Sequence, residues 1–453
     1  MKWLSRLFLV LVATFVLNKM AFASGIKQRP RVIVTTDGEY DDQCSMIRFL
    51  LYANEFDIQG LVYSSSKHHW KGTQDTPGYK WLGTEWLEHQ LNAYADVFPN
   101  LRRHDPDFPS PDELKSQVFV GNILLEGDMK EPTPGSDHIV EILLSSDPSP
   151  VWLLAWGGPN TIARALKTIE EKYPERMDDV SEKVRLYLIS EQDSTYRSYI
   201  AKQWPQAETL ICNSSTYGAI AYRWYNYQTE EQQSYFDKDW VTRNILENHG
   251  PLCKMYKAKN GRFRSEGDSP SFLHLIDVGL GNLNHPEYGG WGGRFIKSGN
   301  QWRSSQDKGD QSSLSRWIIA FQNDFAARAD WCVADKYDKA NHAPTVVLNG
   351  DRSNKTITLT ARPGDTVALS AQGSCDPDGD TIETSWAIYP EAGTFTDNAL
   401  LNPANGEKTN LTISPVENSA FRSGTLHVIL TVRDSGTPTL VAYRRAVIVM
   451  QSY

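Results

Sequence analysis

Asp37, Glu39, Asp41 and Asp42 place four carboxylates within six residues, in the run Thr35-Thr36-Asp37-Gly38-Glu39-Tyr40-Asp41-Asp42. Carboxylates this close repel one another, which raises their pKa values unless positive charge sits among them. The run follows the apolar stretch Val32-Ile33-Val34 and precedes a helix-like stretch, residues 46–52. A tight turn at Gly38, at the end of a strand, is where open α/β sheets place ligands. Two chemistries suit the pattern. Asp41 and Asp42 could open the helix and satisfy its free N–H groups and dipole. Alternatively, the turn folds Asp37 back beside Asp42, and both ligate one hard cation. Calcium takes six to eight oxygens, so further ligands would have to come from elsewhere in the chain.

The elements around this run alternate. Strand-like segments at 32–36, 58–63, 151–156, 184–190 and 208–212 are interleaved with helix-like ones, the clearest at 161–173. Such alternation predicts a mostly parallel sheet flanked by helices. Residues 67–114, rich in Trp, His, Gly and Pro, read as long loops and short helices above the sheet. The composition changes at Asn341-His342-Ala343-Pro344. Beyond it, about seven short alternating runs separated by turn residues predict an immunoglobulin-like β-sandwich, with Trp386 as its core aromatic. The expected domains are an α/β domain over 28–340 and a β-sandwich over 343–453.

The chain of 453 residues suffices for two domains. Its net charge of −9, with no Lys/Arg block, argues against nucleic-acid binding. Lys2 and Arg6, the apolar stretch at 7–17 and Ala21-Phe22-Ala23 predict a signal peptide over 1–23 and an exported protein, periplasmic or extracellular. That stretch is short for a membrane span, so no membrane attachment is expected after cleavage. The five cysteines at 44, 212, 253, 332 and 375 lack metal-ligand spacing and read mostly as buried thiols, with at most one or two bridges.

Three segments, taken in order, resemble the calcium-dependent nucleoside hydrolases. The first is the Asp37-x-x-x-Asp41-Asp42 pattern after a strand. The second is Trp156-Gly157-Gly158-Pro159-Asn160-Thr161-Ile162-Ala163, and the third is Gly267-Asp268-Ser269-Pro270-Ser271. The resemblance implies that Asp37 is both metal ligand and general base and that Asp42 is a bidentate ligand. It further implies that Asn160 offers its backbone carbonyl and that Asp268 completes a Ca2+ cage. Asp41 would hold a sugar hydroxyl. Glu191-Gln192-Asp193 resembles the family's ribose-holding segment, which would make Glu191 and Asp193 substrate contacts; a solvated helix start is the other reading. The chain departs from the family at Thr35, at Glu39 and at Gly267, where many members place a His that assists base departure. Glu266, His274 or His68 would have to replace it.

Ser190-Glu191-Gln192-Asp193, the segment 287–294 and the segment 322–328 resemble a narrower family of secreted, nucleoside-hydrolase-like proteins described as cellulose-binding, with an all-β C-terminal domain. This kinship implies a sugar or glycan ligand. Trp291, in a glycine-rich run, is a candidate sugar platform, although a Trp is also a common core residue. His68-His69 reads as a polar loop pair. Ser374-Cys375-Asp376-Pro377-Asp378-Gly379-Asp380 reads as a turn between strands or as half of a calcium loop. The expected function is hydrolysis of glycosyl bonds with a metal-held water. The alternative is carbohydrate binding without catalysis, with adhesion through the β-sandwich a third option.

Overall fold

A computed structural model describes residues 29–309, 311–395, 398–415 and 423–451. The signal-peptide expectation for residues 1–23 lies outside them. No helix among the described residues is long and apolar enough to cross a membrane.

The first strands are β1 (Arg31–Thr36), β2 (Asp57–Tyr63), β3 (Val118–Val120), β4 (Val151–Ala155), β5 (Val184–Ile189) and β6 (Glu208–Cys212). They run parallel in the order β3-β2-β1-β4-β5-β6. Every residue of β1 and β4 is buried, as a parallel strand covered on both faces requires. The chain leaves β1 toward β2 and β3, then crosses to β4 on the opposite side. The strand order therefore reverses between β1 and β4, and a crevice opens beyond their carboxyl ends. β1 ends at Asp37 and β4 ends at Trp156-Gly157-Gly158, so the sheet topology brings two of the sequence-predicted segments to the same crevice.

The hairpin β7 (Arg294–Ser298) and β8 (Gln301–Asp307) extends the sheet past β6, with β8 parallel to β6 and antiparallel to β7. The short β9 (Gln311–Ser312) pairs with β8.

Residues 67–114 differ from the expectation of loops and short helices. They carry a 20-residue helix, Glu85–His104, with Pro99 inside it. Leu87, Leu91, Tyr94, Val97, Leu101 and His104 are buried at three- and four-residue spacing, and this stripe holds the helix in place despite the proline. The loop ahead of it is pinned by pairing of Trp70 with Tyr79.

The C-terminal region is all β. β10 (Ile357–Ala361), β12 (Ile382–Ile388), β15 (Ser423–Asp434) and β16 (Val441–Gln451) form one sheet, in the order β10-β16-β15-β12. β11 (Thr366–Ser370), β13 (Ala399–Asn402) and β14 (Lys408–Ile413) form the other, in the order β11-β14-β13. Trp386 is buried between them with Leu411, Leu430 and Ile448, and its indole N–H donates to Gly406 O at 2.9 Å. Residues 345–348, the first of the alternating runs beyond Pro344, make only isolated bridges rather than a strand.

The α/β and all-β regions are joined through buried polar contacts. Arg445 donates to Leu280 O at 2.6 Å and to Gly289 O at 3.1 Å. His104 and His342 share a hydrogen bond of 3.0 Å.

Candidate metal centre and sugar cleft

β1 delivers Asp37, and the helix Tyr40–Leu51 carries Asp41 and Asp42 in its first turn. Thr36 Oγ1 donates to Asp42 Oδ1, and Gly38 N–H donates back to Thr36 Oγ1 at 3.1 Å. These bonds fix the turn. The third segment arrives through Ser269–Leu273, a short helix that Asp268 precedes. Trp156 aligns it: its indole donates to Ser271 Oγ at 2.8 Å, which donates to Asp268 O at 2.7 Å. Trp156 N–H in turn donates to Thr35 O at 2.9 Å. The ends of β1 and β4 and the Asp268 turn are thus one hydrogen-bonded unit.

Gly157 is required by close approach. A Cβ there would lie 2.9 Å from Asp37 Cβ and 3.1 Å from its carboxyl carbon. Gly267, where a His was expected from the family pattern, faces a similar limit: a Cβ would lie 3.1 Å from Asp41 Oδ2. The missing imidazole leaves room for the Asp41 carboxylate.

Asp41, Asp42 and Asp268 each point one oxygen into a common space, and these oxygens lie within 4.8 Å of one another. Asp37 lies against them, close enough to raise the pKa of all three. Burial is the largest cause. It lifts Asp41 to about 7, with Glu39 and Asp37 adding repulsion, and it holds Asp42 and Asp268 well above the usual carboxylate range. Asp37 Oδ2 and Asp268 Oδ2 are buried without a hydrogen-bond partner. Buried carboxylate oxygens left unpaired are costly. An all-oxygen donor set with orphaned lone pairs fits a hard divalent cation.

The cleft above the cluster has a volume of about 180 Å³. Glu39, Asp41, Asp42 and Asp268 line it on the acidic side, and Lys67 is the one Lys or Arg among its lining residues. Trp156, Gln192, Tyr217, Tyr222 and His68 complete the wall.

The other sequence-predicted residues take different places. Asn160 is fully buried, and its side-chain amide ties loops together. Nδ2 donates to Asn122 O at 2.8 Å, and Oδ1 accepts from Ser64 at 2.8 Å. Asp193 caps the helix Asn160–Lys172. Its Oδ2 accepts from Asn160 N–H at 3.2 Å, while its Oδ1 accepts from the N–H and hydroxyl of Thr195 at 2.7 and 2.6 Å. Glu191 is held by Arg197, whose Nη2 donates to Oε1 at 2.8 Å. Neither Glu191 nor Asp193 lines the cleft, whereas Gln192 between them does. Trp291 is 2% exposed and packs against Phe321 in the core, so it offers no platform to a sugar.

Of the three replacements considered for the family's His, one reaches the cleft. Glu266 is buried in an ion pair with Arg48, at 2.5 Å. His274 sits among Trp152, Tyr187 and Phe295, where burial pushes it down to about 4. His68 lines the cleft, and burial lowers its pKa.

Two residues stand at the site that the sequence alone does not assign to it, one of them His69, read there as half of a polar loop pair. His69 is buried, with Nδ1 3.8 Å from Asp37 Oδ2 and 3.6 Å from Glu39 Oε2. Burial opposes its charged form, but Asp37 and Glu39 outweigh that and raise its pKa. Tyr222 donates to Glu39 Oε1 at 2.8 Å, and its hydroxyl lies 3.3 Å from Asp41 Oδ1. Nothing local in the sequence marks Tyr222, which is 181 residues from Asp41.

Residues 31–295 match the family model of the cellulose-binding Sde182 nucleoside hydrolase-like domain. Residues 366–450 match that of the C-terminal domain of cellulose-binding protein Sde0182. Among solved structures, the chain is similar to a nucleoside hydrolase-related hypothetical protein from Saccharophagus degradans, associated with carbohydrate metabolism. The two are 31% identical over 94% of this chain and 100% of that one, with a TM-score of 0.78. A plant nucleoside hydrolase matches at 12% identity over 68% of this chain and 100% of its own, with a TM-score of 0.35. A PKD domain, from the KIAA 1837 protein, matches at 21% identity over 21% of this chain and 80% of its own, with a TM-score of 0.16. No curated protein matches. The α/β domain with its acidic crevice, the all-β region behind it and a full-length relative together place this chain in the family of cellulose-binding, nucleoside hydrolase-like proteins.

Proposed function

We propose that the protein is an exported, calcium-dependent hydrolase of glycosyl bonds that acts on a glycan. The observation that carries this reading is the convergence of Asp37, Asp41, Asp42 and Asp268 at the reversal point of the sheet, with two buried carboxylate oxygens unpaired. Asp42 and Asp268 would hold the ion from opposite segments, with Asp41 or Asp37 completing the carboxylate set and the Asn160 carbonyl the remaining expected ligand. When bound, calcium orients a water molecule and lowers its pKa.

Asp37 would accept the proton through Oδ2, which is buried without a hydrogen-bond partner. His69 Nδ1 lies 3.8 Å from that same oxygen and would steady the carboxylate by charge. Positive charge developing at an anomeric carbon in the cleft would be stabilised by the surrounding carboxylates. Tyr222 and Gln192 on the walls supply hydrogen bonds to sugar hydroxyls, and Glu191 and Asp193 hold the loop that carries Gln192 rather than the sugar itself. His68 is the one imidazole among the residues that line the cleft, and so the candidate to assist a leaving group. Its lowered pKa leaves it mostly neutral at neutral pH, so the reading favours substrates whose leaving group departs with little acid assistance.

Gly267, in place of a His, and the family's cellulose-binding description support a second reading, in which the same cage holds a sugar without cleaving it. Incubating the calcium-loaded protein with nucleosides and with oligosaccharides separates the two. Release of a sugar that Asp37→Asn abolishes supports the hydrolase. Glycan binding that survives Asp37→Asn, with nothing cleaved by either protein, rejects it in favour of binding.

A further inference from the structure

Tyr222 separates the acidic cleft from a second, larger cavity of about 530 Å³, and it lines both. The second cavity has the opposite charge. Lys259, Arg262 and Arg264 line it, and no Asp or Glu does. None of the three cations forms an ion pair among the described residues. Two of the guanidinium groups are instead held over aromatic rings. Arg264 lies 3.7 Å from the centroid of Tyr40, and Arg262 lies 5.8 Å from that of Trp224. Tyr222 and Tyr225 are 42% and 53% exposed and present ring surface beside these cations.

We propose that this cavity is a subsite for a carboxylate-bearing sugar, so that the ligand of the neighbouring cleft is an oligosaccharide containing uronate. The inference rests on the reading of the acidic cleft as a sugar site. Exposed tyrosine rings offer flat apolar surface to a pyranose face. A guanidinium over a ring and without an ion-pair partner has N–H groups left to match a carboxylate bidentately. A cellulose chain, being neutral, would leave three cations unused. The charge contrast also orients the ligand: the acidic cleft repels a carboxylate, and the basic cavity next to it attracts one. The uronate ring therefore belongs in the basic cavity, and the adjoining neutral ring belongs over Asp41 and Asp268.

Calorimetry with a β-1,4-linked tetramer of three glucose rings and one terminal glucuronate (the glucuronate tetramer) and with cellotetraose tests this, because the two differ only at one C6. The glucuronate tetramer is expected to bind at least about tenfold more tightly at low salt. That preference should disappear near 1 M salt, where the screening length falls to about 3 Å. It should also fall severalfold in Lys259→Gln/Arg262→Gln, whose two side chains are exposed and which leaves Arg264 alone, while binding of cellotetraose is unchanged. Equal binding of the two tetramers, or a preference that neither salt nor the double variant reduces, overturns the proposal. Tighter binding of a sulfated cellotetraose than of the glucuronate tetramer overturns the choice of carboxylate. The same titration in Asp268→Asn separates this claim from the hydrolase reading. A charge preference that persists there upholds the basic subsite even if no substrate is cleaved, and one that vanishes there removes it.

Discussion

Asp268→Asn should stabilise the metal-free protein and destabilise the calcium-loaded one relative to the parent. The substitution keeps the shape of the side chain and removes one negative charge from the cluster. Its oxygen lies within 4.8 Å of those of Asp41 and Asp42. Two unit charges at that distance, in an effective dielectric of about 20, repel by about 3.5 kcal/mol. The elevated carboxyl of Asp41 leads to a similar figure. Rising from 3.8 to about 7, at about 1.36 kcal/mol per pH unit, corresponds to roughly 4 kcal/mol of resistance to ionisation.

A carboxyl with a raised folded pKa binds its proton more tightly in the folded chain, so it favours folding at low pH. That contribution fades as pH rises from about 4 toward about 7 and is absent above it. Thermal melts with a chelator should therefore show the parent losing stability across this interval. Asp268→Asn should lose less and should lie above the parent at pH 8 by on the order of 3 kcal/mol, which is several degrees in Tm. With calcium the order reverses. The parent gains about 4.1 kcal/mol when calcium is about a thousandfold above its Kd, more than the variant's lead in chelator, and the variant gains little. A parent melt insensitive to both chelator and calcium, or an Asp268→Asn that melts below the parent in chelator, would rule out a cluster of repelling carboxylates that calcium relieves.

Two further predictions concern the buried ion pair behind the cluster and the cysteines. Arg48→Ala strands Glu266 in the core, where Arg48, Tyr256 and Ser269 now satisfy it, and should cost about 3–5 kcal/mol by denaturant melts; Arg48→Met with Glu266→Gln should recover much of that. Alkylation of the native protein should label Cys375 alone, because it is exposed while Cys44, Cys212, Cys253 and Cys332 are buried thiols. Labelling of all five should require denaturant, and mass spectrometry counts the adducts.

The carboxylates at 37, 41 and 42 were legible from the sequence because a strand, a turn and a helix start are local events. Strand after strand of the parallel sheet was legible for the same reason: a strand buried on both faces is a continuous apolar run. Asp268 was reached by resemblance rather than by any local signal. The helix Glu85–His104 was missed although its apolar stripe is in the sequence, because Pro99 and the neighbouring Trp-, His- and Gly-rich loop masked the period.

Only the tertiary structure decided what each polar side chain does. Glu191 and Asp193 are as acidic as Asp37 in the sequence, yet Arg197, Asn160 and Thr195 use up their oxygens, while Asp37 and Asp268 each retain a bare one. Trp291 and Trp156 are both tryptophans beside glycines and both are buried in the core, but only Trp156 also borders the cleft. Tyr222, His69 and the basic cavity come from segments far from Asp37 in the chain. A hydrogen-bond partner or a neighbouring charge is a property of position in space, and these pairings are made by the sheet's reversal between β1 and β4 and by the loops it gathers there.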